Sequence, residues 1–341
     1  MDTRATVSTV WILLGNRQGD NNQLIALAEA LGLPYERKRL TYNRLRHIAF
    51  LRGQRLMYLT RKARQTLAPP WPEVVIGLGY DSIPVSRYVR RRSGGRTRLV
   101  QIGNPRTSLD DIDLVITTPQ YSLKPAANVL ALPFPVGNPA LTGAPTAEEE
   151  EWLRAFPRPR RLIAVGGSTR QWKIDNSELD RTIRHLQDQR ASDGGSVIAV
   201  TSRRTPPNVV RLLETRLTDE TDACVNDFPR FPVLLAQCDE CYVTADSVSM
   251  LSEAILTGKP VGMIPIDRSW RGKVGHWLRE RGWNLRSNAD LSRFWRYLAI
   301  NNLVGGVDSP VASKVNDTVA TAVNAVRRMI DHGPGGHSST D

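Results

Sequence analysis

With 341 residues, of which 40% are hydrophobic, the chain is long enough for roughly two domains that each bury a core. The apolar run at residues 10–14 is far shorter than the roughly 20 residues of a membrane-spanning helix, and no cleavage-site pattern follows it, so we expect a cytoplasmic protein. Three cysteines exclude a disulfide framework, five histidines without ligand spacing predict no metal site, and a formal net charge of +12 predicts an anionic partner.

Short apolar runs alternate with helical patterns along the chain, which indicates βαβ units and mostly parallel sheets. In the first half, strands are predicted at residues 7–14, 35–40, 74–78, 98–102, 114–117 and 129–132. Helices are predicted between them at 21–31, 43–67 and 82–91. This order predicts a doubly wound first domain over residues 1–140.

The first strand ends in a polar turn that contains Gly15 and Gly19 and leads into Asp20 and Asn21. The spacing is not G-x-G-x-x-G, so the dinucleotide fingerprint is absent. One interpretation is that Asp20 or Asn21 caps the next helix. The other is that Asp20 faces a cleft between two domains and acts as the general base that takes a proton from an acceptor hydroxyl.

Residues 37–72 contain ten Lys and Arg residues and no Asp or Glu, and more arginines follow between 87 and 98. Apolar residues are interleaved with these cations: Leu45, Ile48, Phe50, Leu51, Leu56, Met57 and Leu59. The mixture is typical of a basic amphipathic helix that contacts anionic lipid headgroups. Nucleic acid is a competing partner, ranked lower because no nucleic-acid-binding signature accompanies the patch, and a solvated basic face is the third interpretation.

A proline-rich stretch after residue 132 surrounds a candidate helix at 147–156, so we assign residues 141–160 as a linker. A second βαβ series over 161–308 then forms the second domain. Its strands are predicted at 162–165, 197–200, 240–244 and 261–265, and its helices at 176–191, 208–217, 247–257, 273–281 and 291–298. A last amphipathic helix within 309–332 is expected to pack back on the first domain, and the polar residues 333–341 are expected to be disordered.

Two strand ends of the second domain carry groups that suit a phosphate. Gly166, Gly167, Ser168 and Thr169 follow one strand and offer close backbone approach and hydroxyl donors, although a simple turn is the alternative. The next strand ends near Arg203 and Arg204, whose guanidinium groups can hold a diphosphate and stabilise a leaving group.

A third strand end leads into the helix at 247–257. Asp246, Ser249, Met250, Glu253 and Thr257 fall on one helical face, which starts where open α/β sheets place ligands and anions. We expect a nucleotide diphosphate at Thr244, Asp246, Ser247, Ser249 and Met250, with both ribose hydroxyls donating to Glu253. The alternative is that Asp246 or Ser247 caps the helix and Glu253 is an ordinary surface carboxylate.

An Asp-x-Asp pattern at Asp111 and Asp113 is of the sort that holds a metal-bound sugar nucleotide. It precedes a predicted strand, however, so we interpret it as a turn.

Three stretches, residues 11–28, 202–206 and 243–253, together resemble the mitochondrial fission protein family, with a likeness over roughly residues 8–330. Bacterial members of that family carry the label of glycosyltransferase or nucleoside-diphosphate-sugar epimerase. The second half is also similar to the donor-binding domain of GT-B glycosyltransferases, in which a Gly-Gly-Ser turn faces the diphosphate and a helical Glu holds the ribose. The matching positions are Gly166, Gly167, Ser168, Glu253, Gly258 and Pro260.

The resemblance implies a GT-B-like α/β protein with two Rossmann-like doubly wound domains whose mostly parallel sheets face a central cleft. One GT-B enzyme is the N-acetylglucosaminyl transferase that completes the lipid-linked peptidoglycan precursor. It has a histidine in its first glycine-rich turn, where this chain has Asp20. The donor substrate would be a nucleotide-diphosphate sugar, and we expect no cofactor.

Three functions fit this sequence. The leading hypothesis is a metal-independent transferase that moves a sugar to a lipid-linked or lipopolysaccharide-type acceptor, with the protein in the cytoplasm and peripheral on the inner face of the inner membrane. The second hypothesis is a nucleotide-sugar epimerase of the same architecture. The third is a non-catalytic scaffold on a membrane surface.

Overall fold

The computed structural model describes residues 9–44, 56–137, 144–169, 171–281 and 290–331. The chain divides into two compact units, residues 1–137 with 317–341, and residues 138–316. The predicted disordered tail at 333–341 lies outside the described residues, as do residues 141–143 of the predicted linker.

The first unit is built on one parallel sheet of six strands in the order β2-β1-β3-β4-β5-β6. The strands are β1 (Val10–Leu14), β2 (Tyr35–Arg39), β3 (Val74–Leu78), β4 (Arg98–Ile102), β5 (Leu114–Thr117) and β6 (Val129–Ala131). Its helices are α1 (Gln18–Leu31), α2 (Arg61–Gln65), α3 (Ile83–Arg92) and, from the end of the chain, α11 (Thr318–Asp331).

Alternate residues of β1 enter two separate cores, because successive side chains of a strand point to opposite faces of the sheet. Val10 and Ile12 pack in a cluster that includes residues of α1 and α11, whereas Trp11 and Leu13 pack with residues of α3. The sheet is therefore covered on both faces, as expected for a doubly wound domain.

The single helix predicted at 43–67 is wrong where the structure describes it. Tyr42 and Leu59 form an antiparallel bridge, and α2 has only five residues. Leu56 and Leu59, which the prediction placed on a membrane-facing surface, are 2% and 0% exposed and belong to the core of the first unit. Burial in this core outweighs the helical pattern; residues 45–55 lie outside the described residues.

The second unit is built on a sheet with the order β10-β9-β7-β11-β12-β14, parallel except for β14. Its strands are β7 (Arg160–Val165), β9 (Ser196–Thr201), β10 (Asp222–Val225), β11 (Glu240–Thr244), β12 (Pro260–Ile264) and β14 (Val311–Ala312), and β8 (Trp172–Ile174) pairs separately with β13 (Ile266–Arg268). Its helices are α4 (Ala147–Arg154), α5 (Asn176–Asp193), α6 (Pro207–Arg216), α7 (Phe231–Gln237), α8 (Val248–Leu256), α9 (Trp270–Glu280) and α10 (Leu291–Ile300).

Five of these elements, β8, β10, β13, β14 and α7, have no counterpart in the sequence prediction. Each has seven residues or fewer, so hydrophobic periodicity gives little signal for it. No helix within the described part of the chain is both long and apolar enough to cross a bilayer.

Candidate functional site in the second unit

The strand order places a switch point between β7 and β11, because the chain continues outward from β7 to β9 and β10 and then returns to pair β11 on the other side. Open α/β sheets bind ligands beyond the carboxyl ends of the strands at such a point. Gly166 follows β7 directly and Asp246 is the second residue after β11, so two of the predicted phosphate-binding segments meet there.

Side chains from the end of β11 hold the turn after β7. The Gly166 N–H donates to Thr244 Oγ1 at 2.8 Å, and the Gly167 N–H donates to Asp246 Oδ2 at 2.8 Å. The Thr244 hydroxyl donates in turn to Asp246 Oδ1 at 2.7 Å. Thr244 is 0% exposed and Asp246 is 7% exposed, and both position the turn. Direct contact of these two side chains with a ligand stays a prediction.

Asp246 also lies before α8 and does not share its helical face, because Ser247 is the N-cap residue. Burial raises the pKa of the Asp246 carboxyl, while the bonds from Thr244 and Gly167 and the charge of Arg204 lower it. Burial is the largest of these effects, so the net shift of the Asp246 pKa is upward.

Gly166 and Gly167 are required by close packing. A Cβ at Gly166 would overlap the Asp246 carboxylate, and one at Gly167 would overlap Cβ and the backbone of Arg204. The N–H groups of both glycines are already donated within the protein, so the hydroxyl of Ser168 is the better candidate for a phosphate. Ser168 is exposed and its Oγ accepts from the Ile174 N–H at 3.3 Å, which leaves its proton free to donate.

Thr169 starts the turn into β8. Its N–H donates to Trp172 O at 2.8 Å, and its Oγ1 accepts from the Trp172 N–H at 3.1 Å. The hydroxyl proton of Thr169 therefore stays available beside Ser168.

The end of β9 joins the same cluster through Thr205, which the sequence prediction did not assign to the site. Thr205 Oγ1 donates to Gly166 O at 2.6 Å and accepts from the Ser202 N–H at 2.8 Å. This bond draws Arg203 and Arg204 to the Gly166 turn. Both arginines are exposed, and neither guanidinium group has an ion pair to a described residue.

The N-terminus of α8 completes the cluster. Ser247 Oγ accepts from the Met250 N–H at 3.4 Å, so Ser247 caps the helix, as the alternative interpretation held. Ser249 is exposed and Met250 is half-buried. Thr257 follows the last helical residue as the C-cap.

Glu253 lies four residues after Ser249 on the same face of α8. The carboxylate is half-buried and has no hydrogen bond or ion pair to a described residue. Burial alone raises its pKa to about 7. An unpaired carboxylate in a poorly solvated place is costly, which makes Glu253 a candidate for ligand binding.

Two indoles that the sequence prediction did not assign lie next to the end of β11. Trp295 Nε1 donates to Ala245 O at 2.8 Å, and the ring of Trp295 packs edge-on against Trp172 with centroids 4.7 Å apart. The Arg268 guanidinium lies 4.7 Å from the centroid of Trp172. The sequence gives no short-range signal for this cluster, because its members come from three separate elements.

Asp20 belongs to the other unit. Arg17 is the N-cap residue of α1, so the interpretation that Asp20 or Asn21 is the cap is wrong. Asn21 instead closes the preceding turn: its Oδ1 accepts from the Gly15 N–H at 2.8 Å and its Nδ2 donates to Gly15 O at 3.1 Å. Burial raises the pKa of Asp20 and the charge of Arg17 lowers it, and the charge of Asp20 adds to burial in raising the pKa of Tyr121.

The Asp-x-Asp pattern is confirmed as a turn before β5. Asp111 accepts from Arg87 Nε at 2.6 Å and from Arg87 Nη2 at 2.7 Å. Asp113 pairs with Arg90 and accepts from the Leu99 N–H at 2.6 Å. Both carboxylates are therefore bonded to arginines within the first unit.

Comparisons with solved structures agree with the fold. UDP-GlcNAc 2-epimerase from Methanocaldococcus jannaschii aligns with a TM-score of 0.54 at 11% identity, over 95% of this chain and 100% of that one. UDP-GlcNAc 2-epimerase from Neisseria meningitidis, bound to UDP-GlcNAc, aligns with a TM-score of 0.52 at 12% identity, over 95% and 100%. The predicted fold class, GT-B-like with two Rossmann-like domains and mostly parallel sheets, is confirmed.

Sequence comparison gives the family. Mitochondrial fission protein ELM1 of Arabidopsis thaliana is 28% identical over 277 residues, which cover 70% of this chain; the match spans 63% of the Arabidopsis protein's length. The pattern of the family described as Mitochondrial fission ELM1 matches residues 18–302. The chain therefore belongs to the mitochondrial fission ELM1 family.

Proposed function

We propose that the second unit binds a nucleotide-diphosphate sugar. The phosphates would contact the hydroxyls of Ser168 and Thr169, the guanidinium groups of Arg203 and Arg204, and the start of α8 near Ser249. Thr244, Asp246 and Thr205 hold the backbone of these segments in place. The support is that three strand ends are joined by hydrogen bonds at a topological switch point.

The observation that carries this proposal is the unpartnered Glu253 carboxylate on α8. Two ribose hydroxyls are donors that an ionised carboxylate can accept together, and charge-assisted hydrogen bonds of this kind offset the cost of burial. A bound ribose would lower the pKa of Glu253 from its value of about 7.

The reaction that we propose is transfer of the sugar to a membrane-associated acceptor, lipid-linked or of lipopolysaccharide type, on the inner face of the inner membrane. Arg203 and Arg204 would stabilise the charge on the leaving diphosphate. Asp20 would be the general base for the acceptor hydroxyl, since its raised pKa suits proton uptake. The proposal includes no cofactor and no metal.

Thermal unfolding with UDP, UDP-GlcNAc and other nucleotide sugars tests the binding site. A ligand at about 100 times its Kd stabilises the folded state by about 2.7 kcal/mol, which raises Tm by several degrees. We expect Glu253→Ala to weaken binding about 10- to 100-fold, because it removes two hydrogen bonds to a charged group.

Two controls accompany this experiment. Glu214→Ala removes an exposed carboxylate from α6 and should leave the shift intact. Asp20→Asn should also keep the shift while abolishing transfer. A full shift in Glu253→Ala would contradict the proposed ribose contact, and no shift with any nucleotide in the wild type would contradict the proposed site.

A nucleotide-sugar epimerase is the second candidate, favoured by the fold shared with the Methanocaldococcus and Neisseria epimerases. An epimerase converts the nucleotide sugar without an acceptor, whereas a transferase leaves most of it unchanged. Chromatography of the sugar after incubation with the donor alone therefore distinguishes the two reactions.

A further inference from the structure

Helix α9 presents large apolar side chains to solvent. Trp270 is 70% exposed, Val274 is 49% exposed and Trp277 is 51% exposed. A tryptophan side chain usually buries most of its area, so two that are exposed on one short helix indicate a surface with a partner.

The three residues lie on one face of the helix, because their spacings of four and three residues match a helical turn of about 3.6 residues. The opposite side is fixed to the rest of the second unit. The Ser269 N–H donates to Gln171 O at 2.9 Å, and a Cβ at Gly272 would overlap that carbonyl. The tryptophans therefore cannot turn inward without loss of this close contact.

Cations border the apolar face. The Arg271 guanidinium lies 5.1 Å from the ring centroid of Trp270, and that of Arg281 lies 3.6 Å from the ring centroid of Trp277. Lys273 is exposed between them along the sequence. Residues 270–281 contain four Lys or Arg residues and one Glu. Apolar surface alone would suit another protein, but indoles paired with cations suit the boundary between acyl chains and anionic headgroups.

We propose that the Trp270–Val274–Trp277 face of α9 docks the protein on a bilayer that contains anionic phospholipid. The indoles enter the headgroup region, and Arg271, Lys273 and Arg281 contact lipid phosphates. The sequence alone had placed membrane contact within residues 37–72, where the described Leu56 and Leu59 are core residues. This inference does not rest on the proposed function, since docking needs neither nucleotide nor turnover.

Vesicle co-sedimentation of the full chain tests the surface. The probes are vesicles of phosphatidylcholine alone and of phosphatidylcholine with phosphatidylglycerol. We expect the wild type to bind the anionic vesicles, and the double variant Trp270→Glu, Trp277→Glu to bind them about tenfold more weakly or worse. Because both side chains are exposed, the double variant should keep the Tm of the wild type.

The control is Ile300→Glu, which places one glutamate on an apolar residue that is 76% exposed at the end of α10. It should bind vesicles as the wild type does. The paired change Arg271→Ser, Lys273→Ser should reduce the preference for anionic over neutral vesicles, and added salt should do the same.

Three results would overturn the inference. The first is equal vesicle binding by the wild type and the double tryptophan variant. The second is an equal loss of binding in Ile300→Glu. The third is no vesicle binding by the wild type combined with a concentration-dependent dimer that the double variant abolishes, which would make the face a contact between copies of this chain.

Discussion

The Glu253 carboxylate lies half-buried on α8 without a described partner, and its pKa in the folded state is about 7, above its ordinary value of 4.5. Between these two pH values the folded state holds a proton that the unfolded state has released. The stability of the protein therefore falls as the pH rises through this window, and the difference of about 2.5 pH units corresponds to about 3 kcal/mol.

Glu253→Gln removes this charge and keeps the shape of the side chain. We expect it to raise the free energy of unfolding by up to about 3 kcal/mol at pH 8 and to change little at pH 4, where the wild-type carboxyl is mostly protonated in both states. Urea unfolding at both pH values measures the difference, with Glu214→Gln as the exposed control. A gain that is the same at both pH values would show that burial of the charge is not its cause.

At the scale of elements, the three turns after β7, β9 and β11 are joined by hydrogen bonds, because each is bonded to a neighbour. The sequence located all three turns, since glycine, serine and arginine follow short apolar strands. It did not show that Thr244 and Asp246 point at the turn after β7, because contacts about 80 residues apart along the chain leave no local pattern.

Gly167→Ala tests how much the close packing of these three turns contributes to stability. The new Cβ would overlap Cβ and the carbonyl of Arg204, so we expect a loss of about 1–3 kcal/mol in the free energy of unfolding and weaker nucleotide binding. Gly19→Ala is the control, since a Cβ there meets nothing within 4 Å and alanine favours the helix by about 0.5–1 kcal/mol. Denaturant unfolding compares the two variants; equal effects would mean that the turn after β7 has room to relax.

At the scale of the whole molecule, the chain closes its first unit with its last helix. Ala322 and Val326 of α11 are buried in the same cluster as Leu27 and Leu31 of α1, and Arg327 Nη2 donates to Leu31 O at 3.0 Å. The first unit therefore depends on residues at both ends of the sequence, whereas residues 138–316 form the second unit without them.

Ala322→Asp would put a charge into this core without a partner, at a cost of several kcal/mol. We expect hydrogen exchange to speed up in peptides from the first unit, while peptides from β7, β9 and β11 keep their protection. Ala320→Asp, on the exposed side of the same helix, should leave both units protected. Loss of protection throughout the chain would show that the two units do not unfold separately.

The sequence by itself determined the α/β class, most strands and the longer helices, because hydrophobic periodicity is a local property that survives without tertiary contacts. It also identified Gly166, Gly167, Ser168, Arg203 and Glu253 as candidate site residues, since their positions follow from where strands end and which face of a helix they share.

Tertiary structure alone decided which side chains remain free for a ligand. Thr244, Asp246 and Ser247 satisfy backbone groups inside the protein, Glu253 has no described partner, and Trp172 and Trp295 meet from separate elements. A polar side chain looks the same in sequence whether its hydrogen bonds go to the protein or stay available, and only the folded chain distributes them.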